Sequence, residues 1–248
     1  MKKTTSMTAL AAAAAAFVGA LAVPSVALAD LAYNIGAVSD YRYRGISQSR
    51  LKPAVQGGID FDTDGFYVGF WGSSIKWIKD AGGDASAEID LYGGYKGDIV
   101  KDSLTYDVGV LTYQYPNNKL PTKAETYEIY GALTYGPATL KYSHSVSNLF
   151  GFADSKNSGY VDLSASFEVA SGLTLVPHVG YQHVAHASDF SYTDYSLAVN
   201  YEVVKGLVLN ATAVGTDTKK IGGNYAYISP AGKNLGRAGL VVGIKYSF

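Results

Sequence analysis

The chain has 248 residues, a formal net charge of −1 and no cysteine. Its 28 glycines and 21 tyrosines stand against only 7 prolines. The near-neutral balance excludes a nucleic-acid binder, which needs a basic footprint, and the missing thiols exclude disulfides, thiolate zinc sites and cysteine nucleophiles.

At the start, Lys2 and Lys3 precede an alanine-rich stretch from Ala9 to Val23, and Ala27-Leu28-Ala29 forms a small-x-small cleavage site before Asp30. This layout predicts a secretory signal peptide over residues 1–29, leaving residues 30–248 as one domain. Beyond it, no stretch approaches the ~18 consecutive apolar residues of a membrane helix.

From Leu31 onward the chain instead shows period-two alternation, which predicts about twelve strands, an even number as bacterial barrels require. The first six run Tyr33–Arg44, Ala54–Asp62, Phe66–Ser74, Ala85–Lys96, Leu104–Tyr115 and Ala124–Tyr135. The rest run Ala138–Val146, Tyr160–Glu168, Leu173–Gln182, Asp194–Glu202, Leu207–Thr216 and Arg237–Phe248. The connections alternate long and short: Gly45 to Pro53 is long and Thr63-Asp64-Gly65 short, Pro116 to Lys123 long and Gly136-Pro137 minimal. Short turns at one end and long loops at the other are how outer-membrane barrels are built, with the termini at the periplasmic, short-turn end. The longest connection, Asp217 to Gly236, is expected either to fold in as a constriction or to stand outside.

Aromatics on the apolar parity supply a further signal. Tyr33, Tyr106, Tyr135, Tyr201 and Tyr246 fall near short-turn ends, and Tyr41, Tyr43, Tyr127, Tyr181 and Tyr195 near long-loop ends. Tyr33 and Tyr41 are eight residues apart, which at a ~3.3 Å rise and ~40° tilt spans roughly 20 Å, close to the ~25 Å apolar band between aromatic girdles. The last strand ends on Tyr246 and Phe248 with one apolar face. This ending resembles that of Gram-negative outer-membrane barrels, which implies a terminal strand that pairs with the first and an aromatic end read by the barrel-assembly machinery during insertion. The expected fold is therefore all-β: a transmembrane antiparallel up-and-down barrel with both termini periplasmic.

Several segments carry a resemblance. Ser39-Asp40-Tyr41-Arg42-Tyr43-Arg44-Gly45-Ile46-Ser47-Gln48-Ser49, Pro53 to Asp60, Gly65 to Ser73 and Glu88 to Tyr95 together resemble, in order, the opening of the TorF-type porin family of bacteria. The resemblance implies an outer-membrane barrel with a channel, and it brings neither an established solute nor catalytic residues.

If the apolar parity faces lipid, the other parity lines the interior. It carries Arg42, Arg44, Glu88, Asp90, Glu128, Asp162, Asp194 and Arg237, with Tyr67, Trp71, Tyr92 and Tyr130 among them. A dry core does not bury so many charges unpaired, at several kcal/mol each, whereas a wet lumen does. Barrel closure is expected to gather Arg42, Arg44 and Arg237 on one wall, with the five acids farther around the ring. Such a transverse field would orient dipolar solutes and filter ions; the alternative is salt-bridged ladders that stiffen the wall.

The function expected is passive diffusion of small hydrophilic solutes across an outer membrane, in contact with outer-membrane lipid and without nucleic acid or cofactor. A structural or adhesive barrel with a plugged lumen is the first alternative. A lipid hydrolase using a Ser–His pair is the second, but His144 and Ser147 are three residues apart and face opposite sides of a strand.

Overall fold

In a computed structural model of the chain, residues 30–248 are described, and the expected signal segment lies outside them. Twelve spans succeed one another: β1 Asp30–Val38, β2 Ala54–Thr63, β3 Phe66–Ser74, β4 Ala87–Val100, β5 Leu104–Gln114 and β6 Thr126–Tyr135. Then come β7 Ala138–Ser145, β8, β9 Leu173–His183, β10 Tyr192–Val204, β11 Leu207–Thr216 and β12 Gly239–Ser247. Span β8 consists of Gly159–Ala165 and Phe167–Ala170, broken at Ser166. Each span pairs antiparallel with the next, and β12 returns to β1 to close the ring.

The closing seam ends in aromatics. The Tyr33 and Phe248 backbones exchange hydrogen bonds of 2.9 and 3.0 Å. The Phe248 ring stacks between Tyr33 and Tyr246, with centroids 5.7 and 5.5 Å away.

Turn chemistry sets the alternation of connections. Asp64 (φ 48°) and Gly65 (φ 84°) both adopt left-handed backbone between β2 and β3, the two-residue type I′ turn whose twist matches antiparallel strands. The other close turns lie at 101–103, 136–137, 171–172 and 205–206, all at the end where β1 starts and β12 finishes. The opposite end carries the long connections 39–53, 75–86, 115–125, 146–158, 184–191 and 217–238. One of them includes the single-turn helix Trp77–Asp80.

The two faces of the ring differ as the alternation predicts. Outward-facing Ile35, Val68, Val110 and Ile129 are each at least half exposed (57, 57, 53 and 50%), and every span adds to the same apolar band. A water-soluble surface does not carry so continuous a band. Among the described residues no helix is long and apolar enough to cross a membrane.

Inside, glycine and tyrosine interlock. Tyr92 on β4 lies over Gly69 on β3, where a Cβ would collide with its ring, and its hydroxyl reaches Asp60 on β2. Tyr67 repeats this in the other direction, over Gly94 on β4 to Asp107 on β5 at 2.5 Å. Tyr160 lies over Gly180 and donates to Asp194 at 3.0 Å. Each ring therefore runs along the wall and ties a strand to its second neighbour, a use that accounts for part of the Gly- and Tyr-rich composition.

Two ends depart from the alternation. Span β1 stops at Val38 rather than Arg44, and β12 begins at Gly239 rather than Arg237. Tyr41 and Tyr43 therefore leave the lipid-facing girdle expected for them: Tyr41 is buried inside and Tyr43 half-buried. Tyr127, Tyr181 and Tyr195 do face outward, 45, 48 and 50% exposed.

Candidate functional site in the lumen

The first long connection turns into the lumen, and local chemistry starts the turn. The Asp40 carboxylate accepts hydrogen bonds from Ser47 Oγ (2.5 Å), Ser49 Oγ (3.1 Å) and Arg42 Nε (2.5 Å). Such side-chain bonds compete with the strand ladder and end it. Arg42–Tyr43 then pairs with Ile46–Ser47 around Arg44 (φ 46°) and Gly45 (φ 78°). A side chain at position 45 would meet Thr216 and Asp194 within 2.7 Å, so only glycine fits the tip against the β10–β11 wall.

From that tip the Arg44 side chain reaches spans on the far side of the ring from β1. Its Nη1 and Nη2 donate to the two Glu128 oxygens at 3.0 and 2.8 Å, and Nη1 also donates to Gln182 Oε1 at 2.7 Å. The guanidinium carbon lies 4.2 Å above the Tyr160 ring and 4.9 Å from that of Tyr43. Arg44, Glu128, Gln182 and Tyr160 are all buried. Burial by itself disfavours the arginine charge and is the largest single influence, but Glu128, Tyr43 and Tyr113 together outweigh it and hold the guanidinium's pKa above its ordinary value.

The rest of the hairpin packs into aromatics and carboxylates. Tyr41 donates its hydroxyl to Glu88 and sets its ring 5.4 Å from Trp71. Tyr43 contacts Tyr113 and Phe150, at 5.3 and 5.6 Å between centroids. Burial, with nearby carboxylates, pushes the Tyr41 phenol well above its usual pKa, so it stays a donor.

The last connection covers the hairpin. Ser47 N donates to Leu235 O at 3.0 Å. Arg42 Nη1 donates to the carbonyls of Gly45, Leu235 and Arg237 at 2.9, 2.9 and 3.2 Å. Ile46, Tyr192 and Leu235 form a small apolar cluster there.

The expected basic wall is thus not built. Arg42 is tied to Asp40 and meets only the backbone of Arg237, whose side chain is exposed outside the strand. Arg44 instead crosses to an acid, because a bidentate buried pair satisfies both charges better than neighbouring guanidiniums on one wall do. The five acids are where the alternation predicts them, facing inward near the long-loop ends of β4, β6, β8 and β10, and all are buried. Asp162 lies 2.8 Å and Asp194 3.6 Å from the His178 ring nitrogens. Among the described residues, the buried Asp90 Oδ1 and Asp162 Oδ1 have no hydrogen-bond partner.

Towards the short-turn end the lumen wall is more open. Lys96 pairs with Asp62, with side chains 44 and 38% exposed, and Lys141 stands 3.8 Å above the Tyr130 ring. His144 contacts the Tyr142 hydroxyl at 3.2 Å, whereas Ser147 Oγ serves the backbone of Tyr127 and Asn148. Among the described residues no group of three or more His, Cys, Asp or Glu is placed to hold a metal ion. Alternation alone does not single out Tyr113, Tyr160 or the Gln182 amide as partners of the hairpin. The signals in the chain are the Arg44-Gly45 pair and the serines at 47 and 49 that point back to Asp40.

A closed antiparallel ring, apolar outside and charged inside, is the fold of the outer-membrane porins. The chain is similar to a solved KdgM porin with a TM-score of 0.55 and 9% identity, over 88% of this chain and 98% of that one. A KdgM porin in complex with disordered oligogalacturonate gives 0.55 and 8% with the same coverage, and a NanC porin 0.53 and 12% over 88 and 99%. At such identities the likeness is one of fold. By sequence, the chain belongs to the family described as "Bacterial protein of unknown function (Gcw_chp)", whose model matches residues 24–248. No curated protein matches it.

Proposed function

We propose that the protein is an outer-membrane porin-like channel through which small hydrophilic solutes diffuse passively. One observation carries this reading: a single closed ring of strands exposes an apolar band outward while its other parity carries carboxylates, lysines and amides inward. Hydrocarbon suits the first face and water the second. The TorF-type resemblance of residues 39–49 supports the same reading, as does the porin fold. In this reading residues 1–29 direct export and the termini face the periplasm. Outer-membrane lipid covers the band, and the assembly machinery reads Tyr246 and Phe248. Glu88, Asp90, Glu128, Asp162 and Asp194 line the pore, with Arg42, Arg44 and Arg237 around its mouth.

The inward hairpin also favours a second reading, a structural barrel with a plugged lumen. Planar-bilayer recording of refolded residues 30–248 separates the two. Stepwise ion current is the expected result, and reversing the mouth arginines should shift its reversal potential. A folded barrel that inserts without passing current would make the plugged barrel correct.

A further inference from the structure

Arg44 occupies its place as a ligand occupies a receptor. Its guanidinium meets a carboxylate fork, an amide oxygen and a ring face, supplied by three different spans, β6, β9 and β8. These are the three contacts that best suit a planar guanidinium, and an ammonium cannot use the fork and the stack together.

The partners are also held in place without the hairpin. Gln182 Nε2 donates to the carbonyls of Gly159 and His183 at 3.1 and 3.0 Å, which turns its Oε1 toward the guanidinium. The Tyr160 hydroxyl is fixed by Asp194 at 3.0 Å and contacts His178 at 3.2 Å. Glu128 Oε2 also accepts the Tyr113 hydroxyl at 3.2 Å. All of these anchors belong to the barrel wall. The occupant, by contrast, sits on a loop, on a non-glycine residue at φ 46°, a backbone strained by about 1–3 kcal/mol.

We infer that Glu128, Gln182 and Tyr160 form a guanidinium-binding site in the channel, occupied by Arg44 at rest and by a guanidinium-bearing solute in transit. This rests on the channel reading and names its solute class. The solute's guanidinium takes the fork, the hairpin loses its anchor on the far wall, and the passage past it opens. Neighbouring Asp162 and Asp194, both buried and facing inward, add a field that draws a cation to the site.

The test uses block of single-channel current by arginine, by its neutral isostere citrulline, and by lysine. In the folded Arg44→Ala channel the site is vacated. Arginine should then half-block at a concentration about tenfold or more below that of citrulline, the discrimination expected of one charge-assisted pair, and below that of lysine. Adding Glu128→Gln should bring the three together. In the unsubstituted channel arginine must first displace Arg44, so the order should persist with a smaller ratio. Equal block by all three in Arg44→Ala overturns the site, and lysine equalling arginine reduces it to the general field of the acids. If no variant passes current, the channel reading fails by itself. Calorimetric binding of arginine against citrulline to Arg44→Ala in detergent still decides the site, and equal affinities would refute it.

Discussion

The two halves of the lumen obey one alternation and have different interiors. At the long-loop end the Arg44–Glu128 pair has side chains 6 and 2% exposed, and Trp71, Tyr113 and Tyr115 are buried with it. At the short-turn end Lys96 and Asp62 make the same kind of pair with side chains 44 and 38% exposed. Wall residues account for only part of the contrast, since both halves mix polar and aromatic side chains on the inward parity. The rest comes from the long connections: a hairpin carries Tyr41, Tyr43 and Arg44 into the upper half, and Ile75, Ile78, Tyr115 and Phe150 from other loops join the same cluster there. What an ion pair is worth therefore depends also on segments that are not part of the wall.

The largest test of that difference is Glu128→Ala. It leaves Arg44 buried without its carboxylate, which should cost about 3–5 kcal/mol, read by denaturant unfolding of the folded barrel in detergent. A loss under ~1 kcal/mol, the worth of a surface pair, would mean the hairpin is not seated.

An external control comes next. Val110→Arg on the apolar face of β5 should destabilise the bilayer-inserted barrel by about 2–4 kcal/mol, with little effect in a detergent that lets the side chain reach water. Equal effects in both media would argue against hydrocarbon around the band.

Between the halves, Gly94→Ala would drive a Cβ into the Val108 carbonyl oxygen and set it 2.5 Å from the Tyr67 hydroxyl. Displacing that ring should cost roughly 1–3 kcal/mol, and Tyr67→Ala introduced with it should relieve part of the strain. Strict additivity of the two would show that the ring does not lie over the glycine. The smallest effect belongs to Asp62→Asn, which removes an exposed pair and should change stability by less than ~1 kcal/mol. A larger loss would erase the contrast between the halves.

The sequence was legible wherever one rule governed. Eleven of the expected spans coincide with observed ones to within a few residues, because an apolar outer face and a polar inner face impose strict period two. Asp64-Gly65 could be placed as a hairpin turn from residue type alone. The pattern misleads at Tyr41-Arg42-Tyr43-Arg44, where aromatics alternate with arginines as they would at the rim of a span. The break at Asp40 depends on acceptors that Ser47 and Ser49 fill only once the chain has folded back. The contacts of Arg44 with Glu128 and Gln182 are 84 and 138 residues away in sequence, a separation no local pattern reports. Strand parity did place all five acids inside, but it could not say which of them would have a partner.

The seam between β1 and β12 has a consequence for how the molecule is made. Until Tyr33 and Phe248 exchange their backbone bonds, any partial assembly of earlier spans has a raw edge able to recruit a stranger. Stability should therefore arrive nearly all at once, when the ring shuts, and not grow steadily with each hairpin laid down. Pairing partners so distant along the chain makes that last step slow, and protecting the unfinished rim becomes as much a condition of a working product as any side chain within it.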